Sequence, residues 1–248
     1  MSDPRRVERE PAFLLHARPY RETSVMIEAL CANHGRVGLV ARGVRSVRPR
    51  WPRGLLEPFQ ALSIGFQGRG ELAQLTAVDT DAVLPRLAGE RLMCGLYINE
   101  LTLRLLARDD PHPALFDAYR DCLVALHGEA SAAWSLRRYE RDLLGALGYA
   151  PSLSHDIAGS PLTAAHHYRL DPELGAAHVT AASVGDRWLF SGAQLLALHG
   201  NDEPEPALLR GLRRLTSVLL RPHLGERALR STQLLLRSSP IPAGELQS

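Results

Sequence analysis

TSVMIEALCANHGRVGLVARGV, running from Thr23 to Val44, reads as two strands joined by a tight turn. Val, Ile, Leu and Thr supply strand propensity from Thr23 to Ala32 and again from Arg36 to Val44, and Asn33-His34-Gly35 supplies the reversal. Before this hairpin, PAFLLHARPY carries a strand around Phe13 to Ala17. After it come FQALSIGFQG (Phe59 to Gly68) and ELAQLTAVDT (Glu71 to Thr80), separated by Gly68-Arg69-Gly70. Five short strands, with the longest connection between the third and the fourth, predict a small Greek-key barrel of the OB type over residues 1–80.

That longest connection is where the charge collects. Arg36, Arg42, Arg45, Arg48, Arg50 and Arg53 follow one another with no acid between Ala29 and Leu56. Charge without a local partner faces solvent, phosphate or another protein, and OB barrels bind single strands through a basic groove and exposed aromatics. Trp51 lies among these arginines and offers either a stacking face or a ring that packs the loop back onto the barrel. The plain alternative is a solvated charged loop. Gly65, Gly68 and Gly70 lie between two strands with no helix following, so they read as hairpin glycines rather than a phosphate cradle.

The 248 residues, 45% hydrophobic, suffice for one large or two modest cores. No apolar run reaches the roughly 18 residues that span a bilayer, and MSDPRRVEREP lacks the apolar centre of a signal peptide, so the expectation is a cytoplasmic protein with no membrane partner. Cys31, Cys94 and Cys122 are widely spaced in apolar surroundings and read as reduced core thiols. The chain contains no lysine, which excludes a P-loop lysine, a Schiff base and a Ser-Lys dyad. Net charge is only +2, but residues 1–60 carry eleven Arg against six acids, residues 61–206 eleven against nineteen, and residues 207–248 seven against two. Both ends are basic and the middle is acidic.

Past Asp81 the period changes from two to about 3.6. LMCGLYINELTLRLL (Leu92 to Leu106) is apolar on most sides, as a buried helix is, and a second helix starts with Asp109 or Asp110 near its cap. A third runs from Ser131 to a terminating Gly148. On it Leu136, Tyr139, Leu143 and Leu147 form a stripe, with Leu144, Arg137 and Arg141 along its edge. An arginine beside an apolar groove suits a carboxylate whose neighbouring side chain fills the groove; an ordinary helix boundary is the plainer reading. A short helix opens at Ser191. The last one sets Leu208, Leu212, Leu215 and Leu219 opposite Arg210, Arg213, Arg214 and Arg221, and Pro222 ends or bends it. Arg227, Arg230 and Arg237 continue the basic tract, a candidate DNA-contacting face, and residues 238–248 read as a flexible tail.

FLLHARPYRETSVMIEAL, HGRVGLVARGVRS, LYINELTLRLL, LRRYERDLLGALGY, SGAQLLAL and LRRLTSVLLRPHLGERALRS, in this order, resemble RecO, the family of bacterial recombination mediators. The resemblance spans nearly the whole chain, although none of these motifs is a catalytic signature. It implies an α+β protein with an N-terminal five-stranded OB-type barrel and a helical domain over residues 81–237. It further implies binding of single- and double-stranded DNA, annealing of complementary strands, and loading, with RecR, of RecA onto DNA coated by single-strand-binding protein. Position in LRRYE implies that Arg137 pairs with the terminal carboxylate of that protein's Pro-Phe tail while Leu144 receives the phenylalanine, with Arg141 as second candidate.

Many members of the family carry a four-cysteine zinc knuckle where this chain has PSLSHDIAGSPLTAAHHYRLDPELGAAHV. Its His155, Asp156, His166, His167 and His178 match no standard metal spacing, so residues 151–190 are expected to be a loop-rich, cysteine-free remnant with no metal, and no cofactor is expected elsewhere. A protein-interaction adaptor and an RNA-binding OB protein are the rival readings. No nucleophile, base and orienter stand at any recognisable motif, which leaves no hydrolase signature.

Overall fold

The structure is a computed structural model, and it describes residues 5–51, 54–68, 70–80, 84–180, 186–225 and 227–231. In chain order it forms β1 (Arg5–Tyr20), β2 (Ser24–Cys31), β3 (Gly35–Ala41), β4 (Ala61–Gly68), β5 (Ala73–Asp79), α1 (Gly89–Leu105), α2 (Pro113–His127), α3 (Ala132–Ala146), β6 (His167–Asp171), β7 (Gly175–Val179), β8 (Leu189–Ser191), α4 (Gly192–His199) and α5 (Pro206–Leu224). These make two compact units. One holds the chain up to His127 together with the segment from Leu229, and the other runs from Gly128 to Ala228.

The first five strands close a barrel in the order β1-β2-β3-β5-β4, with β4 returning to β1. Among the barrel strands only β3 and β5 pair parallel, through Leu39–Ala73 and Val40–Gln74, and this pairing closes the barrel after the long connection from β3 has led to β4 beside β1. The barrel is α+β in setting, with helices following it, as the strand pattern predicts. β1 is longer than its apolar stretch, because its polar first half pairs with β4 and its apolar second half with β2. Register shifts at Val7/Glu10 and Leu14/His16 bend it between the two neighbours. Glu10, buried at the bend, accepts from the Asn33 backbone at 2.6 Å and from the Asn33 side chain, and lies 3.1 Å from His34. A buried carboxylate thus ties the β2–β3 turn to β1. Leu14, Ile27, Leu39, Ile64, Phe66 and Leu75 fill the interior.

Gly35 has φ +64°, and a Cβ there would meet Asp110 O at 2.0 Å, so this turn requires glycine twice over. Gly65 sits inside β4 rather than in the hairpin; a Cβ would approach Glu8 O to 2.9 Å. The hairpin itself uses Gly68 and Gly70.

α1 and α2 group with the barrel. Asn99, fully enclosed on α1, donates to Leu15 O at 2.7 Å and accepts from Tyr119 on α2 at 2.5 Å. Phe13 on β1 packs its ring 5.2 Å from both Phe116 and Tyr119. α2 begins three residues later than its acids suggest: His112 O accepts the first helical bonds, Asp109 takes φ +58°, and Asp110 bonds His112 at 3.0 Å instead of capping. The chain returns to this unit at Arg230 and Ser231, whose backbone N–H groups donate to Glu100 at 3.0 and 2.8 Å, with Ser231 Oγ donating at 2.7 Å. Burial works to raise the Glu100 carboxyl, but these donors and Arg104 outweigh it and hold it below the usual carboxylate value.

In the second unit Ser131 caps α3, accepting from Trp134 N at 3.2 Å, and Gly148 follows the helix at φ +74°. Ser191 and Gln194 form a full capping box on α4. α5 buries Leu212, Leu215, Thr216, Leu219 and Leu220 and keeps Pro222 within its last turn. The stretch between α3 and α4 is loop-rich, and within it β6, β7 and β8 form a small antiparallel sheet in the order β7-β6-β8. Its alternation over five residues or fewer was too brief to stand out in the sequence. The three cysteines are buried. Among the described residues no group of three or more His, Cys, Asp or Glu is placed to hold a metal, and no helix is long and apolar enough to cross a membrane.

Candidate nucleic-acid interface

β3 ends at Ala41, and the chain turns at Arg42 beside the β1–β2 turn, since Ala41 pairs with Val25 and Arg45 N donates to Thr23 O at 2.9 Å. Arg50 N to Gly43 O at 3.2 Å, and Ser46 Oγ to Gly43 O and Arg48 O at 2.9 and 2.7 Å, close the basic loop on itself. The loop is therefore an ordered turn that holds Arg42, Arg45 and Arg48 outward, all exposed. Beside it the barrel opens a cleft of about 210 Å³ between the β1–β2 turn, the end of β3 and the start of β5. Its polar lining is Tyr20, Arg21, Ser24, Arg42 and Gln74, over a floor of Val40, Leu72 and Ala73. None of those five polar side chains makes a hydrogen bond or ion pair among the described residues; Arg21 lies over the Tyr20 ring at 5.2 Å.

Three of the barrel positions expected to face DNA stand differently. Arg36 donates to Leu103 O at 3.0 Å, lies 3.7 Å from Glu28, and burial lowers its guanidinium pKa. Arg108 shares Glu28, and that hydrogen bond raises its own pKa. Arg36 is thus a tie between β3 and the end of α1, because the acid that neutralises it, Glu28, sits across the β2–β3 ladder rather than nearby in the chain. Trp51 is 8% exposed and joins the barrel core, with Arg50 over its ring at 4.7 Å. It packs the loop back on the barrel and offers no open stacking face. Arg50 also donates to Thr76 O at 3.2 Å. Arg53 lies outside the described residues. Tyr20, Arg21, Ser24 and Gln74 were missed, because only closure of the barrel brings positions 20–24 and 74 together; the signal was the polar run Tyr20-Arg21-Glu22-Thr23 at a strand end.

On α5, Arg210, Arg213 and Arg221 are exposed along one face. Arg214 is committed: it donates to Leu189 O at 2.7 Å and Arg187 O at 3.2 Å and covers the Phe190 ring at 4.3 Å, pinning β8 to α5. Arg227 and Arg230 are exposed, and Arg237 and the tail from 238 lie outside the described residues. On α3, Arg137 is buried and donates to the fully buried Glu140 at 2.6 Å, one turn along the helix. Arg141 donates to Leu198 O, His199 O and Gly200 O at 3.1, 3.3 and 2.5 Å, closing the carbonyl end of α4. Leu144 is wholly enclosed. The three residues share one helix, with their polar groups turned to their own unit.

A closed OB-type barrel with an unengaged basic cleft, followed in the chain by helices, defines an α+β protein of the OB-barrel class. Models of the N-terminal and C-terminal domains of recombination protein O match residues 5–82 and 86–233. The chain is similar to the DNA repair protein RecO of Xanthomonas euvesicatoria pv. vesicatoria, 43% identical over 231 residues that cover 92% of this chain and 96% of the relative. It is equally similar to the DNA repair protein RecO of Stenotrophomonas maltophilia, 43% identical over 235 residues, 94% of this chain and 98% of the relative. The chain belongs to the RecO family of DNA repair proteins.

Proposed function

We propose that this protein is a recombination mediator that binds single- and double-stranded DNA through backbone phosphates and brings complementary strands together. The observation that carries this reading is a set of arginines whose side chains make no hydrogen bond or ion pair among the described residues, Arg21 and Arg42 lining the barrel cleft and Arg45 and Arg48 exposed on the adjoining loop. Guanidinium forks bind phosphate oxygens in pairs, and screening two backbones with one basic surface lowers their mutual repulsion. Residues 1–80 serve as the DNA-binding domain, and Arg210, Arg213, Arg221, Arg227 and Arg230, on the helical residues that follow, offer a further phosphate-binding tract.

The protein acts without bond-breaking chemistry, in the cytoplasm at the nucleoid, and with RecR helps load RecA onto DNA coated by single-strand-binding protein. That part of the reading rests on family membership. So does docking of the single-strand-binding protein tail at Arg137, Arg141 and Leu144. Arg137 reaches a tail carboxylate only by exchanging it for Glu140, and Leu144 receives a phenylalanine only if the groove opens.

The test is fluorescence anisotropy of labelled single-stranded and duplex DNA, and of RNA of the same sequence, across a salt series. Binding that weakens steeply with salt supports phosphate contacts. No binding at low salt sinks the reading in favour of a protein adaptor, and preference for RNA sinks it in favour of an RNA-binding protein.

A further inference from the structure

Phosphate binding by exposed arginines leaves the interior of the barrel cleft unexplained. Ser24 is 8% exposed, yet its hydroxyl has no hydrogen-bond partner among the described residues, and neither has the Gln74 carboxamide or the Tyr20 hydroxyl. Of the enclosed polar groups in this unit, Glu10 is matched with Asn33, Asn99 with Leu15 and Tyr119, and Gln60 with both polar groups of Leu84, whereas Arg36 Nε and Trp51 Nε1 are buried without a hydrogen bond among the described residues. The Ser24, Gln74 and Tyr20 groups differ from these in lining an open cleft, where a ligand that brings its own donors and acceptors can reach them.

The cleft's shape narrows the choice. Its volume of about 210 Å³ falls below the roughly 300 Å³ at which pockets for drug-sized ligands begin. One planar ring system fits that space better than a chain of groups. Tyr20 offers an aromatic face, the Ser24 hydroxyl and Gln74 carboxamide offer hydrogen bonds of either sense, and Val40, Leu72 and Ala73 line an apolar floor. Arg21 and Arg42 stand at the mouth, where the phosphates flanking a seated ring would lie.

We infer that this cleft seats one unpaired nucleobase of a DNA strand, stacked on Tyr20 and held at its edge by Ser24 and Gln74. The inference rests on the DNA-binding reading and deepens it. Bases inside a duplex are paired and stacked and cannot enter without being flipped out, so the cleft favours single strands while the outer arginines hold either form. A single seated base would anchor a strand and leave its neighbours free to pair, which is what an annealing surface requires.

The experiment measures anisotropy with single-stranded and duplex DNA for the wild-type protein, Tyr20→Ala, Tyr20→Phe and Gln74→Ala, with 2-aminopurine in the single strand reporting on stacking. Tyr20→Ala should weaken single-strand binding about tenfold, abolish the 2-aminopurine quench and leave duplex binding unchanged. Tyr20→Phe should keep both the affinity and the quench, and Gln74→Ala should weaken single-strand binding about threefold. Tyr20 is partly exposed at a strand end, and an unchanged melting temperature checks that the fold is intact. Equal losses on single strand and duplex, or no loss on either, overturn the base site while leaving the phosphate reading standing. Wild-type protein that binds neither DNA overturns both.

Discussion

Arg137 and Arg141 on α3 carry the same guanidinium as Arg42 and Arg45 at the barrel mouth, and each pair sits beside apolar residues. The first pair is turned inward, one onto buried Glu140 and the other onto three carbonyls at the end of α4. The second pair is exposed and makes no hydrogen bond or ion pair through its side chains among the described residues. Arg36 repeats the contrast within the barrel: six positions before Arg42, it is held by Glu28 and Leu103 O. An arginine therefore qualifies as a phosphate ligand by what it lacks nearby in space. Local charge density does not report that. A bond to a buried acid or a row of carbonyls removes the guanidinium from the electrostatic surface while leaving its formal charge in the count.

The contrast is broken most directly at the buried pair. Glu140→Ala leaves Arg137 enclosed without its acid and should lower the unfolding free energy by about 3–5 kcal/mol in urea denaturation, with Arg137→Met/Glu140→Leu recovering most of it. A loss below about 1 kcal/mol would mean that Arg137 is loosely held and open to a tail carboxylate. Next, replacing Arg42, Arg45 and Arg48 together by Gln should weaken single-strand binding about a hundredfold near 0.1 M salt, about 2.7 kcal/mol, and reduce the salt slope by about 2. Stability should stay within about 0.5 kcal/mol, because these side chains make no hydrogen bond or ion pair among the described residues. If the melting temperature falls as well, the loop arginines are structural like those of α3.

Arg141→Ala exposes the carbonyl end of α4 and should cost about 1–2 kcal/mol, with faster amide exchange confined to that helix and its neighbours. The smallest effect is at Glu100. Its carboxyl lies below the usual carboxylate value, so its contribution is present above that value and is lost as pH falls through the lower, folded value. Acid titration should loosen Arg230 and Ser231 from α1 in this window. Glu100→Gln should flatten that pH dependence at a cost below about 1 kcal/mol, since the group is partly solvated; an unchanged acid profile would remove Glu100 from the account.

The strands at Thr23–Ala32 and Arg36–Val44 were legible because alternation and a glycine turn are local properties. The caps at Ser131 and Ser191 were legible for the same reason. The polar half of β1 was not, since Arg6 becomes strand only by pairing with Gln67 of β4, and Glu8 and Arg9 fall in the register shift that follows. β6, β7 and β8 are too short for their period to show. In the candidate site, Arg42, Arg45 and Arg48 were readable from charge alone, whereas Arg36 and Arg214 were assigned to the surface because the groups that engage them lie 8 and 25 positions away, and Trp51 stayed open between a stacking face and the barrel core.

By itself, then, the sequence determined the order of the five barrel strands and of the helices, the concentration of arginine after β3 and the family to which the chain belongs, because propensity, turn chemistry and motif order are written along the chain. Which arginines remain available, and that Tyr20, Ser24 and Gln74 share one cleft, only the tertiary structure decided. Barrel closure sets the β3–β5 pairing at Val40–Gln74, and that pairing brings residues about fifty positions apart to one opening. A guanidinium or a hydroxyl is free or engaged according to the partners such closure places within hydrogen-bonding distance of it.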